Sequence, residues 1–154
     1  MNDAEKKICG RMARLCSARE YCKKDIAAKI ASCQGGEDID GDAIISYLCQ
    51  NKYIDDNRYA AFFARDKSAL QGWGERKIRY ALSAKGLDRE VIEGALQSID
   101  PAKALSKMES LLSAKWRTIK GEGQEPFAKL LRYGESRGYS YKQIKAFYDN
   151  IRRG

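Results

Sequence analysis

Few side chains in this sequence could carry chemistry, and their kinds narrow the choice. There is no histidine, so acid–base work would fall to carboxylates, lysine or tyrosine with displaced pKa values. Asp55-Asp56 is the one conspicuous acidic pair. Adjacent residues at a helix start point in different directions, which suits helix capping better than a two-carboxylate site. Gly72-Trp73-Gly74 precedes a helix and could bring backbone N–H groups near a phosphate. It lacks the spacing and the Gly-Lys-Ser/Thr ending of a nucleotide loop, so a plain connection is expected. Trp73 reads either as core or as an exposed stacking platform. Five cysteines, Cys9, Cys16, Cys22, Cys33 and Cys49, include no Cys-x-x-Cys pair. Reduced thiols serving as small buried apolar residues are expected, and zinc is not. All five fall in the first third, where a redox role is the alternative. No catalytic residue, metal or cofactor is expected.

The basic residues say more. The formal charge is +8, from 29 Lys and Arg against 21 Asp and Glu. Such a balance favours an anionic partner: nucleic acid, a membrane surface or an acidic protein. Arg76, Lys77 and Arg79 flank an apolar helix face, and Arg89 follows the next turn. Lys129, Arg132, Arg137, Lys142, Lys145, Arg152 and Arg153 decorate the last third. Several helices biased positive favour a groove that follows phosphates. Arg76, Lys77, Arg79, Arg89, Lys129, Arg132, Lys142 and Lys145 are the contact candidates. Nothing identifies a recognition helix or base-specific contacts. No apolar run reaches membrane-spanning length and the start MNDAEKKICG has no secretory core, so a cytoplasmic protein is expected.

The elements that must hold these residues are helical. At 44% hydrophobic and 32% charged, with two prolines and no alternating β-branched runs, the chain reads as ordered and all-α. Residues 72–96 show the pattern best. Ile78, Ala81 and Leu82 share one face, Lys85-Gly86 closes that helix, Asp88 caps the next, and Ile92, Ala95 and Leu96 bury it. The same offsets recur at Ile39, Ile44 and Leu48, and at Tyr139, Ile144 and Tyr148, each lead residue being followed by Asp or Ser. Three copies at a period of roughly 50 residues predict a tandem array.

Taken in order, helices are expected over residues 3–18 (Ile8, Met12, Leu15 and Cys16 inward) and 22–32 (Ile26, Ile30). After a loop at residues 34–37 comes one over 40–51 (Ile44, Ile45, Leu48). Asp55 caps a helix to about residue 70, with Tyr59, Phe62, Phe63 and Leu70 on one face. Asp100-Pro101 opens another, lined by Leu105, Met108, Leu111, Leu112 and Trp116. Beyond a loop at 120–124, Pro126 starts a helix burying Phe127, Leu130 and Leu131, and Ser140 caps the last. The expected architecture is an elongated or curved array of three three-helix repeats, residues 1–52, 53–99 and 100–154, nine helices in all.

Three stretches resemble the RecX family, bacterial regulators of the RecA recombinase. Cys22-Lys-Lys-Asp25-Ile26-Ala-Ala-Lys29-Ile30 is similar to its Ser-x-x-Glu-Leu-x-x-Lys-Leu, with Cys22 in place of the usual Ser/Thr cap. Residues 53–60, YIDDNRYA, are similar to its aliphatic–Asp-Asp–x-x–aromatic–Ala signature. Residues 74–96 resemble its Gly-x-x-x-Ile-x-x-x-Leu-x-x-Lys-Gly-Ile/Leu block, with Glu75 where proline is common. Asp55, Asp56, Tyr59, Ile78, Leu82, Lys85 and Gly86 are the motif positions, and capping and turn closure explain their types. The resemblance implies a cytoplasmic monomer, not an enzyme, that lodges in the groove of the RecA–single-stranded DNA filament. There it would block growth or promote disassembly, lowering ATPase, strand-exchange and coprotease activities. A sequence-independent single-stranded DNA binder acting without RecA is the alternative.

Overall fold

A computed structural model describes residues 1–33 and 38–153. The loop expected at residues 34–37 lies outside the described residues. Among those described, the chain forms nine α-helices and no strand: α1 (Asp3–Ala18), α2 (Lys23–Cys33), α3 (Gly41–Gln50), α4 (Asp56–Ala69), α5 (Glu75–Ala84), α6 (Arg89–Gln97), α7 (Pro101–Trp116), α8 (Glu125–Ser136) and α9 (Tyr141–Arg153). They gather in chain order around three separate apolar cores. Met12, Ile26, Ile30, Ile44 and Leu48 fill the first, Tyr59, Ala64, Ile78, Leu82 and Ile92 the second, and Met108, Leu112, Leu130, Ile144 and Phe147 the third. The cysteines are free thiols, with Cys9, Cys16 and Cys22 buried. Desolvation pushes those three thiols above their ordinary pKa, which leaves little reactive thiolate.

Caps fix where most helices begin. Asp40, Asp55 and Asp100 accept the backbone N–H of Ala43, Arg58 and Ala102 respectively, satisfying N–H groups that have no partner inside the helix. Ser140 Oγ accepts from Gln143 N, and Gln143 Oε1 accepts from Ser140 N, a reciprocal box. Asp88 departs from expectation: it occupies the N-cap position of α6, but its side chain makes no cap hydrogen bond. Gly86 adopts φ +75° after α5, the left-handed closure that glycine allows without Cβ strain. Glu5, three residues after the N-cap Asn2, closes a second capping box at the start of α1. Its carboxylate accepts from Asn2 N at 2.7 Å and Asp40 N at 2.7 Å, fastening the start of α1 to that of α3. Those two backbone hydrogen bonds hold its carboxyl below the ordinary pKa.

Burial departs from expectation at three large residues. The apolar pattern sets Phe62 and Leu70 on one face of α4 with Tyr59 and Phe63, and Leu105 among the lining of α7, but they are 55%, 72% and 53% exposed. In α4 the face against α6 is instead Ala60, Ala64 and Ser68 beside Tyr59, with Ala95 opposite. Small side chains let the two helices approach closely, and dense packing outweighs the larger transfer energy of Phe62 and Leu70. A similar adjustment occurs at the repeated motif. Leu48 is fully buried, but in the later copies Ala95 and Phe147, one residue earlier, are the buried residues, and Leu96 and Tyr148 are half-buried.

The cores are joined in two ways. Between the first and second, polar groups meet. Arg58 Nε donates to Glu20 at 2.6 Å, Lys85 Nζ to Asp25 at 2.7 Å, Lys24 Nζ to the Ala84 carbonyl at 2.9 Å, and Lys23 N to Asp56 Oδ1 at 2.9 Å. Asp56 thus accepts the first N–H of α2 from another helix. Burial works against the Asp25 carboxylate, but hydrogen bonds from Lys85 and Cys22 outweigh it and hold its pKa below the ordinary value. The same bond raises that of Lys85.

Between the second and third cores, backbones touch. Gly74 N donates to the Arg137 carbonyl at 2.7 Å and Arg76 N to that of Gly138 at 3.2 Å. A Cβ on Gly74 would overlap the Gly138 carbonyl, and one on Gly138, at φ +95°, would overlap Lys77. The Tyr139 hydroxyl donates to the Gly72 carbonyl, and burial raises its pKa to about 12. Helices α4 and α7 also pack against one another.

Candidate nucleic-acid interface

The Gly72-Trp73-Gly74 turn holds no phosphate cradle. Two N–H groups at the start of α5, those of Gly74 and Arg76, are taken by carbonyls of Arg137 and Gly138. Trp73 is neither deep core nor open platform. Half-buried, it meets Phe63 edge-on at 6.2 Å and lies under the ammonium groups of Lys67 at 5.0 Å and Lys77 at 4.5 Å.

Ion pairing divides the candidate cations. Arg79 bonds both Glu93 and Glu75; the Arg79 guanidinium holds the Glu93 carboxyl below its usual pKa. Lys129 pairs with Glu125 at 3.1 Å and donates to the Lys120 carbonyl at 2.8 Å. Lys145 pairs with Asp149 at 2.6 Å and sits over the Tyr148 ring at 5.6 Å. Lys77 is drawn onto Trp73 and toward the Ser136 carbonyl at 3.5 Å. Arg76, Arg89, Arg132 and Lys142 are exposed and form no ion pair among the described residues. A charge already facing a carboxylate has less to offer a phosphate than a free one.

Packing also assembles cations that sequence spacing did not join. Lys115 at the end of α7, Lys120 in the following loop, and Lys129 and Arg132 on α8 line one shallow hollow with Tyr133. Lys115 lies 5.3 Å from the centre of the Tyr133 ring. Only the fold of α7 against α8 brings the first two beside the second two. Lys142 instead borders a groove between α7 and α9 with Leu105 and Phe147.

The motif positions are structural in their contacts. Asp55 caps α4 and Asp56 caps α2. Tyr59, Ile78 and Leu82 are buried, Lys85 ties the first two cores together, and Gly86 closes α5. Among the described residues, no group of three or more His, Cys, Asp or Glu side chains is placed to hold a metal, and no helix is long and apolar enough to cross a membrane.

Known proteins share both sequence and fold with this chain. A family described as "RecX, second three-helix domain" matches residues 55–96. A regulatory protein RecX from Vibrio parahaemolyticus is 33% identical over 131 residues, 85% of this chain and 83% of that protein. One from Clostridium botulinum is 35% identical over 104 residues, 66% of this chain and 48% of that protein. The crystal structure of RecX from Lactobacillus salivarius superposes with a TM-score of 0.83 at 21% identity, covering 100% of both chains. A second crystal structure, of a regulatory protein RecX, gives 0.83 at 22% identity over 96% of this chain and 72% of that one. At such identity the superpositions speak for the fold.

Proposed function

The chain belongs to the RecX family of regulatory proteins, and on that premise we propose that it binds the RecA–single-stranded DNA filament and inhibits it. It acts by blocking filament growth or promoting disassembly, so recombinase, ATPase and coprotease activities fall. Regulation here is by binding, without a catalytic step, by a cytoplasmic monomer. Residues 1–52, 53–99 and 100–154 act as three successive docking units. The observation that carries the reading is the selective pairing of charge. Acidic side chains neutralise Arg79, Lys129 and Lys145, while Arg76, Arg89, Arg132 and Lys142 stay exposed on the second and third units.

The test is RecA filament ATPase and filament length with and without the purified protein. Inhibition at protein levels well below those of RecA supports growth blocking; no effect on either readout removes the proposal. Arg76→Glu should weaken filament binding and flatten its salt dependence, since each phosphate contact adds about 0.7 to the log–log slope on single strands. Arg79→Glu should change binding less. Equal effects from the two would sink the selective-pairing argument. The hollow of Lys115, Lys120, Lys129 and Arg132 favours a second reading, direct single-stranded DNA binding without RecA. Affinity for bare oligonucleotide against preassembled filament separates the two.

A further inference from the structure

Tyr80 is the most exposed large hydrophobic side chain described, at 79%. Helix α5 buries Ile78 and Leu82, and Tyr80, two residues on from Ile78, points to the opposite side. Its helical neighbours leave the ring bare. One turn ahead, Ser83 and Ala84 are exposed and too short to cover it. One turn behind, Lys77 has swung onto Trp73. Most other tyrosines are engaged: Tyr21, Tyr133 and Tyr148 lie under cations, Tyr59 and Tyr141 meet phenylalanine rings, and Tyr139 donates a hydrogen bond. No aromatic or cation–π partner of Tyr80 occurs among the described residues.

Positive charge brackets this ring. Arg76, one turn before it, is exposed and unpaired, because Glu75 is taken by Arg79. One turn after it, the Lys24 ammonium rests 2.9 Å from the Ala84 carbonyl. Arg76 and Ala84 are eight residues apart, so their backbones stand about 12 Å apart along α5, with Tyr80 midway between them in the helix. A bare aromatic face between cations that follow a backbone is the arrangement by which proteins hold unpaired nucleic acid: phosphates on the charges, a base on the ring. We infer that Tyr80 is a stacking platform for an unpaired base of single-stranded DNA, with Arg76 and Lys24 on the flanking phosphates. The inference deepens the proposed function and shares its nucleic-acid partner, but its test needs no RecA, so the two fail separately.

Binding is measured by anisotropy of a fluorescein-labelled oligothymidylate, and of a strand of equal length whose sugars carry no bases. Tyr80→Ala should bind oligothymidylate about tenfold more weakly than the native chain, whereas Tyr80→Phe keeps its affinity within about twofold. Salt dependence should be the same for all three, since no charge has been removed. The native chain should favour the base-bearing strand by about the factor that Tyr80→Ala loses, and Tyr80→Ala should favour neither strand. An exposed side chain makes both variants safe for folding, which thermal melting checks. Three results would overturn the inference: Tyr80→Ala matching the native chain, Tyr80→Phe falling as far as Tyr80→Ala, or Tyr80→Ala still preferring bases.

Discussion

The two junctions of this molecule solve one problem with different physics. The first and second cores are joined by side-chain charges, one borrowed cap and Cys22, which is buried in the second core. The exposure of the charges keeps each of their contacts weak: Lys85 and Asp25 retain 39% and 23% of their side-chain accessibility, so water and salt screen them. The second and third cores are joined by backbone hydrogen bonds and a glycine-to-glycine approach that leaves no room for a Cβ. Charge-to-charge contacts tolerate small changes of angle, and backbone contacts at van der Waals distance do not. The rigid pair carries Arg76, Arg89, Arg132 and Lys142, so those cations keep a fixed spacing, while the first core meets them through a softer joint.

That contrast can be broken most sharply at glycine. Gly138→Ala introduces a Cβ at positive φ against Lys77 and should cost about 3 kcal/mol in chemical denaturation. Gly94 sits mid-helix in α6 with nothing within 4 Å of an added Cβ, so Gly94→Ala should stabilise by about 0.5–1 kcal/mol. If the two behave alike, close approach is not what fastens the second junction. Next in size is Asp56→Ala, which should cost about 1 kcal/mol through the lost cap on α2. Amide exchange should quicken at the start of α2 and leave α8 and α9 unchanged.

The smallest effect belongs to the ion pair. Lys85→Ala should destabilise by less than about 1 kcal/mol, and the loss should fade in molar salt. Acid sharpens the comparison. The Asp25 carboxyl lies below its ordinary value when folded, so the unfolded chain binds the proton first as pH drops. Its stabilisation is full above the unfolded pKa and disappears as pH falls through the folded one. The thermal midpoint of Asp25→Asn should therefore fall less steeply with acid than that of the native chain.

Local chemistry made much of this legible. Asp40, Asp55, Asp100 and Ser140 announced helix starts because a cap is read within three residues, and Gly86 announced a stop for the same reason. The all-α fold followed from apolar spacing together with those caps. Residues whose roles depend on distant partners stayed hidden. Asp56 looked like half of an acidic pair at one helix start, yet its acceptor serves Lys23, 33 residues away. Lys85 suited a helix end electrostatically, and only packing placed it on Asp25, 60 residues away. Phe62 and Leu70 misled because periodicity ranks faces by hydrophobicity, whereas α4 chose the face whose small side chains let α6 come close. Among the cations, sequence gave positions but not neighbours. Arg76 and Arg79 look equivalent until Glu75 and Glu93 are seen to claim only one.

The borrowed cap also sets an order of events during synthesis. A ribosome releases α2 well before Asp56 exists, so the nascent amino-terminal segment emerges with the Lys23 N–H unclaimed. That helix start settles only once the chain has grown 33 residues further and α4 has begun to wind. The start of the middle segment thus also completes the first helix turn of α2 in the one that precedes it.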